Sequence, residues 1–200
     1  GIKTVGTAGD FPTLTGTGGL FEAINNNVVV GNITANIISN ITEPGTIALN
    51  QWAEDGVGGY TLTIRPSNAT MKTISGSPTT TNGLIRLNGA DRVTIDGSFS
   101  GSGRYLTFSN DASTTANVAV IQLISLGANA GATDNTIKNS IIIGNSSSTT
   151  STFGIYLGSA SIYTSGTGAS NNNVTIENNI IERAYNGIYA RGVATTGLLT

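Results

Sequence analysis

The sequence predicts an all-β protein, built as a parallel β-helix with three strands per coil and a short N-terminal capping helix. Short bursts of Ile, Val, Leu and Thr recur along the 200 residues and are separated by Asn, Gly and Ser. Asn and Gly tolerate the left-handed backbone of tight corners, so each burst indicates a strand followed by a corner. Matching bursts return after whole cycles and not in adjacent pairs joined by hairpin turns, which favours a solenoid over an antiparallel sandwich.

The most explicit repeat begins with Thr-Ile. It continues with a charged residue, Gly or Asn, Ser or Asn, and a large apolar residue. Copies occupy residues 94–99, 136–141 and 175–180, and a fainter copy begins at Thr63-Ile64-Arg65. We expect these copies to be equivalent strands of successive coils.

Two further rows of bursts complete each cycle. One row consists of residues 85–87, 121–123, 155–157 and 188–190, and the other of residues 106–108, 141–143 and 180–181. Alternate side chains of a strand face opposite sides, so Ile85, Leu87 and their counterparts are predicted to point inward. Successive coils would stack these side chains about 4.8 Å apart into a continuous core.

Corners and insertions account for the uneven length of the cycles. Asn178 and Asn179 are predicted to form the first corner of the last cycle, and Asn186-Gly187 the second. Residues 146–152 and 159–171 are rich in Ser, Thr, Gly and Asn and are predicted to be loops inserted at corners.

The two ends of the solenoid differ in sequence. Residues 18–27 carry Leu20, Phe21, Ala23 and Ile24 at helical spacing, which predicts a short amphipathic helix that plugs the N-terminal end. We therefore divide the chain into a cap segment, residues 1–27, and a parallel β-helix, residues 28–200. Residues 192–200 stop within a coil without a capping pattern, so we expect the β-helix to continue beyond residue 200 or to stack on a partner.

Composition excludes several classes of chemistry. The chain has no cysteine and no histidine, which excludes disulfides, thiol chemistry, histidine-based catalysis and the usual zinc sites. Only 10% of the residues are charged and the net charge is −2, so no basic surface for nucleic acid is predicted. No apolar run approaches the roughly 18 residues of a transmembrane helix, so no membrane insertion is expected.

No set of residues predicts a catalytic, cofactor-binding or metal-binding site, and calcium is not indicated. Glu54 and Asp55 are the only adjacent acids, and neighbours in an extended segment point apart, which makes a poor acid–base pair. A solvated loop is the favoured interpretation, with Trp52 packed beneath it. Whether the protein is an enzyme is left open, with a non-enzyme favoured.

An outward row of alternating charge is predicted on the Thr-Ile strands. It comprises Asp96, Lys138 and Glu177, and Arg65 extends it. Opposite charges on adjacent strands stabilise a sheet, so a salt-bridge ladder that holds the coil register is favoured over a catalytic site.

A second outward row is the candidate binding site. Arg86, Gln122, Tyr156 and Tyr189 occupy the same position in successive copies of the second row. Stacked tyrosines with a planar amide and a guanidinium could form a flat platform for sugar rings. The simpler alternative, which we favour, is that tyrosine is a good strand residue whose ring covers its neighbour.

Several segments resemble a known family. Residues 4–25, TVGTAGDFPTLTGTGGLFEAIN, resemble the start of pectate-lyase-like right-handed, single-stranded parallel β-helices. The segments YTLTIRPS, GLIRLNGADRVTIDGS and NVTI resemble the β-helix modules of very large secreted surface proteins of Bacteroidetes-type bacteria. The resemblance implies an extracellular or cell-surface location and a structural or adhesive function as a spacer, fibre or adhesin segment. The implied partners are a cell-surface or extracellular polysaccharide, or further copies or segments of the same protein.

The same resemblance carries two alternatives. One is a polysaccharide lyase or glycoside hydrolase, and the other is a non-catalytic carbohydrate-binding solenoid. The Asn-Thr-Asp, Asp-Asp and Gly-His-Gly segments of polygalacturonase-like enzymes are missing from this sequence. Fold alone does not decide between these functions.

Overall fold

The computed structural model describes residues 1–78, 82–112, 116–125, 130–145, 152–162 and 170–192. Its elements are β1 (Ile2–Val5), α1 (Leu20–Asn25), β2 (Val28–Val29), β3 (Ile33–Ile37), β4 (Ile41–Thr42), β5 (Leu49–Asn50), β6 (Ala53–Glu54), β7 (Leu62–Pro66), β8 (Lys72–Gly76), β9 (Gly83–Asn88), β10 (Val93–Asp96), β11 (Leu106–Asn110), β12 (Val118–Ile124), β13 (Thr136–Lys138), β14 (Ile141–Ile143), β15 (Thr152–Leu157), β16 (Thr175–Glu177), β17 (Ile180–Glu182) and β18 (Asn186–Ala190).

The strands form three parallel sheets, and each sheet contains the equivalent strand of successive coils, as a coil of three strands requires. The first sheet has the order β1-β3-β7-β10-β13-β16, the second β4-β8-β11-β14-β17, and the third β5-β9-β12-β15-β18. Every neighbouring pair in these sheets is parallel. The predicted parallel β-helix is therefore confirmed. A separate two-stranded sheet joins β2 to β6.

The register of the sheets confirms the repeat. Thr94 lies beside Thr136, which lies beside Thr175, and the fainter copy at Thr63 lies beside Thr94. The inward side chains Ile85, Leu87, Ile121, Leu123, Ile155 and Leu157 are all at most 3% exposed. Ile188 belongs to the same row but is 50% exposed, because β18 has a strand neighbour on one side only within the described residues.

The predicted corners are partly right. Asn178 has a φ of 52°, and Asn179 binds the neighbouring coil by accepting from the Ser140 N–H and donating to the Ile137 carbonyl. Asn186-Gly187 is not a corner, because both residues lie in β18 and Asn186 pairs with Phe153. The left-handed residue that precedes this strand is Arg183, with a φ of 55°.

The predicted capping helix is confirmed as α1. Its apolar side chains Leu20, Phe21 and Ile24 are buried in the core. The Asn25 side chain donates to the Ala48 carbonyl and accepts from the Asn50 N–H, which ties the helix end to β5. The cap segment also contributes β1 to the first sheet, which the sequence pattern did not predict.

Two expectations fall largely on residues outside the described ranges. These are most of the loops 146–152 and 159–171, and the end of the chain after residue 192. The one helix among the described residues, α1, has six residues and is too short to cross a membrane.

Candidate functional site

The predicted platform row is aligned as expected. Gln122 lies beside both Arg86 and Tyr156, and Tyr156 lies beside Tyr189. The two tyrosine rings are stacked, with centroids 5.3 Å apart and planes 10° apart. The third sheet therefore brings all four side chains into one column.

The exposure that a sugar platform needs is not found in the middle of this column. Gln122 is 0% exposed and Tyr156 is 1% exposed. Residues 158–162 cover them, since the Tyr156 hydroxyl donates to the Ser161 carbonyl and Gln122 Nε2 donates to the Ala160 carbonyl. Ile162 also packs in one buried apolar cluster with Tyr156 and Phe153. Tyr189 is half-buried at the end of the column, and glycan binding there stays a prediction.

Arg86 is engaged by the backbone of the preceding coil. Its Nη2 donates to the carbonyls of Gly45 and Thr46, at 3.2 and 2.6 Å. Burial lowers the pKa of its guanidinium from the ordinary value, and its Nε is buried without a hydrogen-bond partner. Arg86 thus holds the segment after β4 in place and does not offer a free fork to a ligand.

Glu54 is the centre of a hydrogen-bond cluster. Its carboxylate accepts from Trp52 Nε1 (3.0 Å), the Gly59 N–H (2.8 Å) and the Tyr60 N–H (2.9 Å), and it forms an ion pair with Arg92 at 2.8 Å. Burial by itself raises the pKa of Glu54, but the four donors outweigh it and hold that pKa below the usual value.

The Glu54 cluster corrects one expectation and confirms another. Asp55 is exposed, as a solvated loop predicts, whereas Glu54 is half-buried and both of its carboxylate oxygens accept hydrogen bonds. Trp52 is 8% exposed and lies under the Arg92 guanidinium, 5.9 Å from the ring centroid. Trp52 is therefore the packing anchor that the sequence predicted.

The predicted charge row is one part of a larger network at the first corner. Lys138 forms an ion pair with Asp96 at 3.7 Å and lies beside Glu177 in register. Arg65, the predicted extension of the row, lies beside Asn36 and donates to its Oδ1 at 3.0 Å. Among the described residues the predicted ladder therefore contains one ion pair, Asp96–Lys138, and Arg65 is held by an amide hydrogen bond instead.

Sequence reasoning missed the amide part of that corner. Asn139 donates to Asp96 and accepts from Asn178, at 2.9 and 2.6 Å, and Arg104 donates to the Asn178 carbonyl and side chain. We call this chain of four side chains the corner ladder. Burial by itself raises the pKa of Asp96. Hydrogen bonds from Asn139 and Ser98 and the charge of Lys138 lower that pKa by a larger amount, so the net shift is downward. The signal was the Asn at equivalent corners, residues 139 and 178.

Glu43 is a buried carboxyl group that nothing in its sequence context singled out. It follows β4 and is 1% exposed. Its Oε1 accepts from the Leu14 N–H at 2.6 Å, and its Oε2 accepts from the Thr15 N–H at 2.8 Å and the Thr15 hydroxyl at 2.5 Å. Burial raises the pKa of Glu43, and these three donors only partly offset that shift.

Two surface grooves lie at the N-terminal end. One has a volume of about 530 Å³ and is mostly apolar, with Phe11, Leu20 and Ile24 in its lining and Lys3 among its few polar residues. The other, of about 400 Å³, is lined by polar and small residues that include Thr7 and Asn40. Neither groove contains a residue of the predicted platform.

The described residues contain no group of three or more His, Cys, Asp or Glu side chains that could hold a metal ion. No protein-family model matches the chain, and comparison with curated proteins and with solved structures gave no significant match. The resemblance to secreted β-helix modules is therefore carried by the sequence segments alone.

Proposed function

We propose that this chain is a structural or adhesive β-solenoid segment of an extracellular bacterial surface protein, of the kind that its sequence resembles. The observation that supports this proposal is the uninterrupted parallel stacking of coils, seen in the six strands of the first sheet. In a solenoid each coil contacts only its neighbours, so length can be added without a change of design. Such a segment serves as a spacer or fibre unit.

Side-chain bonds between coils support the role of a stiff spacer. The corner ladder connects three successive coils, because Asp96, Asn139 and Asn178 follow or end β10, β13 and β16. Arg104 reaches across the middle coil to Asn178. Bending the solenoid at this edge would separate these donors and acceptors, so the ladder resists bending.

Incubation with polysaccharides separates the structural function from the enzymatic alternative. The purified chain is mixed with a panel of neutral and acidic polysaccharides, and new reducing ends and unsaturated products are measured over time. A structural segment releases neither. Product formation above that of a heat-denatured control would overturn the proposal.

Adhesion to a glycan has its own test in the tyrosines of the last described coil. Tyr189 stacks on Tyr156 at the end of the platform column, whereas Tyr185 is 69% exposed outside it. If the column end binds sugar, Tyr189→Ala abolishes glycan-array signals and Tyr185→Ala, the matched control, retains them. Equal signals from both variants would remove the column from the binding surface and leave the spacer function.

A further inference from the structure

Besides the Asn25 bonds, the β1 pairing and the apolar packing of α1, two adjacent residues connect the cap to the first coil. Leu14 and Thr15 are both 0% exposed. On the helix side, the Leu14 carbonyl accepts from the Phe21 N–H at 3.0 Å. On the coil side, the Thr15 carbonyl accepts from the Ile47 N–H at 2.8 Å, and the Thr15 hydroxyl accepts from the Gly45 N–H at 3.0 Å. These two residues are the joint between α1 and the solenoid.

Glu43 supplies the side chain that holds this joint. The three hydrogen bonds that its carboxyl group accepts come from Leu14 and Thr15, which lie 28 to 29 residues earlier in the chain. A buried polar group is costly without partners, so these donors and this carboxyl group depend on each other. Displacing the joint would leave the carboxyl group and two backbone N–H groups without their partners.

No cation neutralises Glu43 among the described residues. The charged side chains on the elements around it are directed to other partners. Arg86 donates to the Gly45 and Thr46 carbonyls, Lys72 Nζ donates to Asn68 and the Thr70 carbonyl, and Glu22 accepts from the Gly18 N–H. The ionised form of Glu43 therefore carries a buried charge that only hydrogen bonds stabilise.

We propose that Glu43 is a proton-responsive latch, which holds α1 on the first coil through Leu14 and Thr15 and loosens the cap when it loses its proton. Both protonation states fit the joint, because the Thr15 hydroxyl can donate to the carboxylate or accept from the protonated acid. The protonated state avoids the cost of burying a charge. The raised pKa of Glu43 agrees with this geometry. Cap docking is therefore strongest below the ordinary pKa of a glutamate and weakens as the pH rises through the raised value.

Hydrogen exchange on the intact chain tests the latch. Protection factors, corrected for the intrinsic exchange rate, are measured from pH 4 to pH 8 for the amides of Leu14, Thr15 and Phe21. We expect the protection factors to fall with rising pH. The fall should be about tenfold for each unit by which the pKa of Glu43 in the docked cap exceeds its pKa in the released cap. Amides of the solenoid, such as Val93, serve as the internal reference. Protection at the joint that is flat or rises with pH would overturn the proposal.

Variants assign the effect to Glu43. Glu43→Gln is neutral at every pH and is expected to abolish the pH dependence, whereas Glu22→Gln, in the same cap, is expected to retain it. Should Glu43→Gln not fold, Thr15→Val serves instead. It removes a hydroxyl that bonds Glu43 in both protonation states, so the pH range over which protection is lost is expected to shift. A wild-type profile in Glu43→Gln or Thr15→Val, or a flattened profile in Glu22→Gln, would count against the latch.

Discussion

Glu43 and Glu54 are two glutamates of one chain whose surroundings move their pKa values in opposite directions. Each accepts at least two backbone N–H groups and one side-chain donor. Glu54 also has Arg92 at 2.8 Å and retains partial exposure to water. Glu43 is 1% exposed and has no ion-pair partner in the described part of the chain. At Glu43 the cost of burial therefore exceeds the effect of three hydrogen bonds on the pKa, whereas at Glu54, which keeps some contact with water, four hydrogen-bond donors, Arg92 among them, outweigh it.

The largest expected effect comes from removing the two side chains themselves. Glu43→Ala leaves three buried donors without an acceptor, and each costs about 1–3 kcal/mol, so we expect the free energy of unfolding to fall by at least about 3 kcal/mol. Glu54→Ala is expected to cost less, because two of its donors, the exposed Gly59 N–H and the partly exposed Arg92 guanidinium, regain water. Denaturant unfolding measures both. Equal losses would show that the deeper burial of Glu43 does not make its removal more costly.

Removing the cation is the next test. Arg92→Ala is expected to lower the free energy of unfolding by about 1 kcal/mol, the scale of a partly exposed ion pair together with a cation–π contact. It should also raise the pKa of Glu54, which can be followed by NMR titration. Arg65→Ala is the matched control, since Arg65 contacts Asn36 and not a carboxylate. An unchanged titration of Glu54 would show that Trp52 and the two backbone donors hold its pKa down without Arg92.

Acid is expected to destabilise the Glu54 loop, whereas it is expected to strengthen the docking of the cap. Because the pKa of Glu54 is lowered in the folded state, its contribution to stability is present above the ordinary glutamate pKa and is lost as the pH falls through the lowered value. Hydrogen exchange at Gly59 and Tyr60 should therefore accelerate in acid, after correction for the intrinsic rate. Glu54→Gln should lack this dependence. Acceleration that persists in Glu54→Gln would assign it to another group.

The smallest expected effect is at the charge row. Lys138→Ala removes the ion pair in which Lys138 Nζ lies 3.7 Å from Asp96 Oδ2, and the lysine side chain is 31% exposed. The free energy of unfolding should therefore fall by no more than about 0.5 kcal/mol. Asn139→Ala, on the same corner, should cost more, since it removes two hydrogen bonds and places alanine at a φ of 53°. Thermal unfolding ranks the two variants. A larger loss for Lys138→Ala would make ion pairing, not the corner ladder, the main link between coils.

Local residue order sets the repeat and therefore the fold class. Strand periodicity places Ile85, Ile121 and Ile155 inside, and the repeated Thr-Ile segment sets which strands become neighbours, because both follow from local residue order. The helix of residues 20–25 was predictable for the same reason. The Asn186-Gly187 corner was predicted wrongly, since ladder pairing with Phe153 extended the strand over a pair that is typical of turns.

The roles of the polar residues depend on contacts between distant parts of the chain. The alignment of Arg86, Gln122, Tyr156 and Tyr189 was predictable, but the burial of Gln122 and Tyr156 depends on residues 158–162, which fold over the middle of the column from outside the repeat. Glu43 and Glu54 look alike in sequence, and their difference arises from Leu14, Thr15 and Arg92, which lie 28 to 38 residues away along the chain. Burial and the distance to a cation are properties of the folded chain, and they set the free energy of a charge far more strongly than neighbouring residues do.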